Sequence, residues 1–257
     1  MIILRFHDDE DSFFKDGRVQ LNKYVEKCMG QVIVSCQAYE DTPLYGPENM
    51  KIMAESVLKG GAKAIRACWP QDIKAIRQLG DFPIIGLNKI IDSTKSIRDQ
   101  IIITPTFQSA AQVIEAGSNI LALDCTLRPF RGKDVLYALL KEIKAAYPET
   151  AIMADCATLE EGIFAAETGF VDIVSSTLSG MVSENTEGPD INILIEMKKH
   201  IDLPINAEGR IWDLTDLKNV LDAGADMITI GTAITRPHLI AERFINYYEK
   251  YSKFKVK

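Results

Sequence analysis

Eight short runs of apolar, largely β-branched residues recur along the chain, and stretches with helical periodicity separate them. The runs are Gln31–Cys36, Ala62–Ala67, Pro83–Asn88, Asn119–Asp124, Ala151–Asp155, Val171–Ser175, Pro204–Ala207 and Met227–Gly231. Nearly continuous apolar content of this kind is typical of parallel strands that are covered on both faces. In the intervening stretches the apolar residues share one helical face, as Leu136, Leu140 and Ile143 do. The alternation predicts an α/β fold.

Four of the predicted helices end at a glycine directly before the next strand, namely Gly61, Gly117, Gly169 and Gly224. These glycines recur roughly every 52 to 56 residues, a step that covers two strand–helix units. Eight strands in a chain of 257 residues match the size of a (β/α)₈ barrel. A doubly wound open sheet is the alternative, but the first strand is not followed by the G-x-G-x-x-G motif of that fold. We therefore predict a single-domain (β/α)₈ TIM barrel.

Two segments lie outside this repeat. Residues 1–29 form an N-terminal extension with a predicted helix from about Arg18 to Met29, and residues 30–257 form the predicted barrel. We expect the helix to cap the bottom of the barrel, with a solvated arm as the alternative. The segment Ile90–Thr106 is longer than a simple loop and contains an apolar run. It predicts an extra strand or a hairpin on the rim.

The composition argues against several classes of function. The 29 basic and 36 acidic side chains leave a net charge of −7, which disfavours a surface for nucleic acid or an anionic membrane. No apolar run approaches the length of a membrane span, and the N-terminus turns acidic too early for a signal peptide. The five cysteines form no C-x-x-C pair, which indicates a reducing cytoplasm rather than a disulfide scaffold or a zinc site. The three histidines lie outside the expected mouth or at its edge, so we expect no metal site.

Polar side chains follow almost every predicted strand, at the end where the active sites of (β/α)₈ barrels lie. They are Ser35, Gln37, Arg66, Lys89, Asp124, Asp155, Ser176, Thr177, Glu208, Arg210 and Thr232. A barrel that served only as a scaffold would not need so many charged groups around one mouth. We therefore expect a site for a polar small molecule there.

Two of these side chains are candidates for proton transfer. In a confined, partly dry mouth Lys89 could act as a base near neutral pH or form a Schiff base, and a solvated position on the rim is the alternative. Glu208 directly follows the seventh strand. It is a candidate general acid or base, and the alternative is an ion pair with Arg66 or Arg210.

Three further charged groups are candidates for binding. Arg66 ends an apolar strand, and an inward arginine needs a partner because burying an unpaired guanidinium is costly. Asp124 and Asp155 end the fourth and fifth strands. Either could orient Lys89 or bind substrate hydroxyls, and we count both among the substrate-binding candidates. A structural ion pair is the alternative for each.

Glycine-containing segments follow the last three strands, at 176–180, 207–210 and 231–237. Glycine lets backbone N–H groups approach an anion closely, and a helix N-terminus adds the positive end of a dipole. Arg210 and Arg236 could add positive charge. The loops after strands seven and eight are the usual phosphate site of such barrels. Each loop alone could be an ordinary tight turn, but together they favour phosphate binding.

Several short motifs occur in a fixed order along the chain. They are V-S-C-Q at 34–37, A-I-R-A at 64–67, M-A-D-C at 153–156, T-L-S-G at 177–180, A-E-G-R at 207–210 and A-I-T-R-P at 233–237. In this order and spacing, from about Gln31 to Phe244, the chain resembles the N-acetylmannosamine-6-phosphate 2-epimerase family. Members of that family are similar to other phosphate-binding (β/α)₈ barrels.

The resemblance implies an enzyme that interconverts N-acetylmannosamine 6-phosphate and N-acetylglucosamine 6-phosphate in sialic-acid breakdown, without a metal or nucleotide cofactor. It implies that Lys89 and Glu208 are catalytic, and that Gln37, Arg66 and Asp155 bind the substrate. The phosphate-binding positions that it implies are Ser179, Gly180, Gly209, Arg210, Gly231, Thr232 and Arg236. It also implies a homodimer.

Two other functions stay open from the sequence. One is a different phosphosugar epimerase or an aldolase-like barrel, in which Lys89 would form a Schiff base with the substrate. The other is a barrel that binds a sugar phosphate without turnover. The presence of both Lys89 and Glu208 argues against the second.

Overall fold

The apolar runs become the strands of one closed parallel barrel in the computed structural model, which describes residues 14–15, 18–19, 21–181 and 187–255. The barrel strands are β1 (Val32–Cys36), β2 (Ile65–Cys68), β3 (Ile84–Leu87), β4 (Ile120–Asp124), β5 (Ala151–Asp155), β6 (Ile173–Ser175), β7 (Ile205–Glu208) and β8 (Met227–Ile230). Each strand pairs with the next in parallel, and β8 pairs with β1 to close the cylinder. The predicted (β/α)₈ barrel is confirmed.

The strands are apolar along their whole length because both of their faces are buried. In β4, for example, Ile120 and Ala122 join a cluster inside the barrel, whereas Leu121 and Leu123 join the cluster between the barrel and the helices. All four side chains are fully buried. This two-sided burial produces the continuous runs of the sequence, in place of the alternation of a half-exposed sheet.

One helix precedes β1, and the helices that follow the strands cover the outside of the barrel. The helices are α1 (Lys23–Cys28), α2 (Pro47–Lys59), α3 (Pro70–Arg77), α4 (Phe107–Glu115), α5 (Lys133–Ala146), α6 (Leu159–Glu167), α7 (Ile191–His200), α8 (Leu214–Asp222), α9 (Thr232–Thr235) and α10 (Pro237–Lys255). The four glycines that end helices in the sequence all have positive φ, between 73° and 108°. This left-handed conformation lets the chain turn into the next strand. Among the described residues, no helix is long and apolar enough to cross a membrane.

Helix α1 covers the amino-terminal end of the barrel. Its residues Val25 and Cys28 are fully buried and belong to the cluster inside the barrel. The predicted start of this helix at Arg18 is wrong, because Arg18–Val19 pairs with Phe14–Lys15 in a short antiparallel ladder and the helix begins at Lys23. The Asn22 side chain accepts a hydrogen bond from the backbone N–H of Tyr24 and sets this start. Positions 1–13, 16–17 and 20 of the predicted extension lie outside the described residues, and its boundary as a separate unit stays a prediction.

The long segment after β3 contains a single antiparallel bridge, between Lys89 and Ile103, and a 3₁₀ turn at Ile97–Asp99. The backbone N–H of Ile90 donates to the carbonyl of Ile102 at 3.1 Å. The expected hairpin is thus reduced to one bridge. That bridge ties the backbone of Lys89 to the rim of the barrel.

Asp72, in the first turn of α3, is a buried carboxyl group for which the structure shows no hydrogen-bond partner. Its side chain is fully buried, and burial raises its pKa from 3.8 to about 6. A raised pKa in the folded state means that the stability contributed by the protonated form is lost as the pH rises from about 4 to 6. Ionised Asp72 therefore destabilises the fold at neutral pH.

We expect Asp72→Asn to stabilise the protein more at pH 7.5 than at pH 4.5, by about 2 kcal/mol for a shift of this size. Urea unfolding at the two pH values measures the difference. Asp134→Asn, at an exposed position in the first turn of α5, is the matched control and should show little pH-dependent gain. An equal gain at both pH values for Asp72→Asn would contradict the argument.

Candidate active site

A cavity of about 230 Å³ opens at the carboxyl ends of β1, β7 and β8, next to the end of β3. The residues around it are Ser35, Gln37, Lys89, Glu208, Gly209, Arg210, Ile211, Trp212, Thr229, Ile230, Gly231, Thr232, Thr235 and Arg236. The structure thus brings the predicted catalytic pair, Lys89 and Glu208, together with Gln37 and most of the predicted phosphate-binding residues. The loops bring these groups to one mouth because parallel strands end at the same side of a barrel.

Lys89 follows β3 and directs its amine towards the loop after β1. Its Nζ donates a hydrogen bond to Tyr39 Oη at 2.8 Å. The indole Nε1 of Trp69 donates to the backbone carbonyl of Lys89 at 3.1 Å. The lysine is therefore held at both its backbone and its amine, and it lines the same cavity as Glu208.

Arg66 links two carboxyl groups on the floor of the site. Its Nη2 lies 2.6 Å from Asp155 Oδ2 and its Nη1 lies 3.1 Å from Asp155 Oδ1, so the pair is bidentate. The same Nη1 lies 3.1 Å from Glu208 Oε2. The side chain of Arg66 is 1% exposed, that of Asp155 is 0% exposed and that of Glu208 is 15% exposed. Glu208 is thus the member of this cluster that reaches the cavity.

The environment of Glu208 suits a group that exchanges protons near neutral pH. Burial raises the pKa of Glu208 to about 7, and the charge of Asp155 adds to the rise. Arg66 and Lys89 lower the pKa of Glu208 but do not outweigh burial. Because Arg66 is shared between Asp155 and Glu208, its charge offsets only part of the effect of burial on the pKa of Glu208. A carboxyl group with a pKa near the working pH can both donate and accept a proton efficiently.

Hydroxyl and amide groups that the sequence reasoning gave no role in catalysis or binding connect these carboxylates. Thr177 Oγ1 donates to Asp155 Oδ1 at 2.6 Å and lies 3.3 Å from Glu208 Oε2. Asn206 Nδ2 donates to Ser175 Oγ at 2.7 Å and lies 3.5 Å from Glu208 Oε2. Thr177 was among the polar residues expected at the mouth, whereas Ser175 and Asn206 lie within strands and carried no sequence signal.

Removal of the Thr177 hydroxyl should move the titration of Glu208 to higher pH, because the hydrogen bond from Thr177 lowers the pKa of Glu208. We expect Thr177→Val to shift the Glu208-dependent limb of the kcat/KM profile upward by roughly half a pH unit. Thr177→Ser keeps a hydroxyl at the same carbon and is the control, with a profile close to that of the wild type. A downward shift in Thr177→Val would contradict this role of the hydroxyl.

The loops after β7 and β8 lie beside the cavity and carry five of the predicted phosphate-binding residues. Gly209 and Arg210 adopt positive φ, 112° and 57°. Arg210 Nε donates to the carbonyl of Gly188 at 2.6 Å, which orients the guanidinium. Thr235 Oγ1 donates to the carbonyl of Ser35 at 2.7 Å and ties the loop after β8 to β1. Backbone and guanidinium groups therefore converge beside the cavity.

The described part of the loop after β6 does not line the cavity, but it lies beside the guanidinium of Arg210. Ser179 and Gly180 lie in a 3₁₀ turn and do not line the cavity. A side chain at Gly180 would overlap the guanidinium of Arg210, so glycine is required there for the arginine to lie in place. The phosphate contact of these two residues stays a prediction.

Asp124 has structural partners and does not line the cavity. Its Oδ1 accepts hydrogen bonds from Thr126 Oγ1 at 2.6 Å and from Arg131 Nη2 at 3.0 Å. Burial raises the pKa of Asp124, while Arg131 lowers it. This is the ion pair that the sequence left open as the alternative, and the assignment of Asp124 to the substrate stays an untested prediction.

The cysteines are poor candidates for nucleophiles. All five are free and buried. Burial raises the pKa of the Cys36 thiol to about 12 and that of Cys125 and Cys156 well above the ordinary value. A thiol that stays protonated is not nucleophilic. Within the described part of the chain, no group of histidine, cysteine and carboxylate side chains could hold a metal ion.

A lysine and a carboxyl group share one cavity at the carboxyl end of this barrel, the end at which the active sites of (β/α)₈-barrel enzymes lie. Residues 50–250 match the family model described as "Putative N-acetylmannosamine-6-phosphate epimerase". The chain belongs to this family.

Relatives agree with this assignment over nearly the whole chain. A protein of Caldanaerobacter subterraneus named "Putative N-acetylmannosamine-6-phosphate 2-epimerase" is 41% identical over 238 residues, which cover 91% of this chain and 98% of that protein. A Clostridioides difficile protein of the same name is 38% identical and covers 88% and 99%. The solved N-acetylmannosamine-6-phosphate 2-epimerase of Clostridium perfringens is 37% identical, with a TM-score of 0.78 over 87% of this chain and 95% of that one. A deoxyribose phosphate aldolase from Aeropyrum pernix, at 14% identity and a TM-score of 0.59, shares the fold.

Proposed function

We propose that the protein is an isomerase that interconverts N-acetylmannosamine 6-phosphate and N-acetylglucosamine 6-phosphate by inverting C2, as a step of sialic-acid and amino-sugar catabolism. The observation that carries the proposal is that Lys89 and Glu208 line one cavity beside the glycine loops after β7 and β8. The family and its epimerase-named relatives supply the substrate class. Gly209, Gly231 and Arg236 would bind the phosphate.

The chemistry of the sugar matches these side chains. In the open-chain form, the proton on C2 lies next to the C1 aldehyde and is acidic enough for a positioned base. Its removal gives an enolate-like intermediate, and return of a proton to the opposite face inverts C2. Lys89 moves the C2 proton, and Glu208 handles the proton on O1 or O5 during ring opening. The scheme needs neither a metal nor a nucleotide.

The remaining candidates hold the substrate in this scheme. Gln37 reaches the cavity from the end of β1, and its amide donates to Ser35 Oγ at 2.8 Å. Arg66 and Asp155 lie below Glu208, where their positive and negative charges would stabilise the intermediate and orient the N-acetyl group. Asp124 completes the proposed set, although it is paired with Arg131 and does not line the cavity.

Incubation of the purified protein with N-acetylmannosamine 6-phosphate in D₂O tests the proposal. We expect N-acetylglucosamine 6-phosphate to form, with deuterium incorporated at C2, as followed by NMR. Binding without turnover, measured by calorimetry, would overturn the proposal and support the non-catalytic barrel. Turnover without C2 exchange would overturn the deprotonation mechanism.

We further propose that the protein is a homodimer and that α10 provides the contact. Phe244, Tyr247 and Tyr248 are 73%, 72% and 72% exposed along this helix. A run of exposed aromatic residues on one helix is typical of a protein–protein interface. Light scattering should give twice the mass of one 28.6 kDa chain, and Phe244→Glu together with Tyr248→Glu should give the monomer. A monomeric wild type would contradict the proposal.

We place the enzyme in the cytoplasm. All five cysteines are free, which suits a reducing compartment. The phosphorylated sugar that the family acts on also belongs to intracellular chemistry. Fractionation of the native cells with detection of the protein in the soluble cytoplasmic fraction is the measurement that checks this.

A further inference from the structure

Tyr39, in the loop after β1, contacts two of the cations of the site. Its hydroxyl accepts the hydrogen bond from Lys89 Nζ at 2.8 Å. The guanidinium carbon of Arg236 lies 5.2 Å from the centroid of the Tyr39 ring, within the range of a cation–π interaction. The residue thus stands between the proposed proton-transfer group and a proposed phosphate-binding group.

An unusual backbone conformation supports the Tyr39 ring. Trp69 has φ = 70°, a left-handed value that a bulky side chain rarely adopts. Two hydrogen bonds maintain this conformation. The backbone N–H of Trp69 donates to the backbone carbonyl of Leu87 at 2.9 Å, and its indole N–H donates to the backbone carbonyl of Lys89 at 3.1 Å. The indole then meets the Tyr39 ring edge to face, with centroids 5.6 Å apart. Unfavourable backbone geometry of this kind concentrates at functional sites.

The chemistry of the phenol fits a partner for a lysine that changes its protonation state. A phenol can accept a hydrogen bond from an ammonium and can donate one to a free amine. A carboxylate in the same place would favour the charged lysine. The carboxyl group that shares the cavity, Glu208, makes its ion pair with Arg66 instead.

We propose that Tyr39 is a positioning residue for Lys89. Its hydroxyl holds the amine at the cavity wall in either protonation state, and its ring is fixed by Trp69 and Arg236. This role rests on the proposed function, because it assumes that Lys89 moves the C2 proton. Tyr39 lies beyond the strand end, and for that reason the strand-end pattern did not single it out.

The test compares Tyr39→Phe with Tyr45→Phe. Tyr45 also meets the Trp69 ring edge to face, at 6.1 Å, but its hydroxyl donates to the exposed side chain of Glu40. In the epimerisation assay we expect Tyr39→Phe to lower kcat about tenfold, with KM within about twofold, because the amine is misplaced while substrate binding is kept. Tyr45→Phe should match the wild type. A kcat for Tyr39→Phe equal to that of Tyr45→Phe would overturn the proposal.

A second readout does not need turnover, so that failure of the proposed function is distinguished from failure of this inference. Acylation of Lys89 in the ligand-free protein is followed by mass spectrometry, with the exposed Lys95 as the internal reference. Loss of the hydrogen bond should speed the reaction of Lys89 in Tyr39→Phe by about three- to tenfold. Equal rates for Lys89 in the two proteins would overturn the proposal, even if the wild type shows no epimerase activity.

A third variant covers the case in which the phenylalanine protein does not fold. Tyr39→Gln offers a carbonyl oxygen that can accept from the amine and should keep the acylation rate of Lys89 closer to the wild-type value than Tyr39→Leu does. Identical rates in Tyr39→Gln and Tyr39→Leu would show that the hydrogen bond does not hold the amine and would overturn the proposal.

Discussion

Lys89→Met is expected to lower kcat for C2 epimerisation by about 10²- to 10⁴-fold, the usual contribution of a positioned proton-transfer group. Methionine keeps the length of the side chain and removes the amine. The loss to stability should be small, because the Lys89 side chain is only half-buried and its hydrogen bond goes to the Tyr39 hydroxyl. The measurement is kcat together with deuterium incorporation at C2, and both should fall together.

Lys95→Met is the matched control for this variant. Lys95 lies on the same segment after β3, is 58% exposed and pairs with Asp92, so its loss should leave kcat unchanged. A Lys89→Met enzyme with a kcat within a factor of about three of the wild type would remove the lysine from the mechanism. An adduct of substrate at Lys89 trapped by borohydride would show Schiff-base chemistry and favour the aldolase-like alternative.

The barrel could be predicted because its determinants are local. Each strand, such as Ile120–Asp124, is a continuous apolar run, and a glycine such as Gly117 marks the end of the helix before it. Once the fold is known, the polar residue at each strand end falls at one mouth. Their positions at strand ends were enough to predict that Lys89 and Glu208 lie at the same mouth, and in the structure both line one cavity.

The partners within the site could not be predicted in the same way. Arg66, Asp155 and Glu208 come from three different strands, and their contacts depend on the depth at which each side chain enters the barrel. Nothing local distinguishes the burial of Asp155 against Arg66 from the pairing of Asp124 with Arg131. Both aspartates directly end a strand, yet one supports Glu208 and the other stabilises a neighbouring loop.

Arg66 is the residue on which the charge balance of the site depends, and its replacement should have the largest effect on stability. The buried guanidinium carries one positive charge against Asp155 and Glu208. Arg66→Met would leave Asp155 buried without a counter-charge, which costs about 3 to 5 kcal/mol when one partner of a buried pair is removed. The pKa of Glu208 would rise further, because Arg66 lowers it in the wild type.

Urea unfolding of Arg66→Met at pH 7.5 measures this cost, and Arg66→Lys separates charge from geometry. Lysine keeps the positive charge but cannot form the bidentate pair seen with Asp155 at 2.6 and 3.1 Å. We expect Arg66→Lys to keep more stability than Arg66→Met and still to lose most of its activity. A loss of less than about 1 kcal/mol in Arg66→Met would contradict the buried-pair argument.

A double variant tests whether the loss of stability in Arg66→Met comes from the uncompensated charge of Asp155. In Arg66→Met combined with Asp155→Asn, the uncompensated charge is removed from the floor of the site. The double-mutant cycle should therefore show a coupling of about 2 kcal/mol or more, with much of the stability recovered. Activity should not return, because Glu208 would still lack the guanidinium that holds it 3.1 Å away in the wild type. Recovery of stability without activity would separate the structural role of the Arg66–Asp155 pair from its proposed role in orienting the acid–base group.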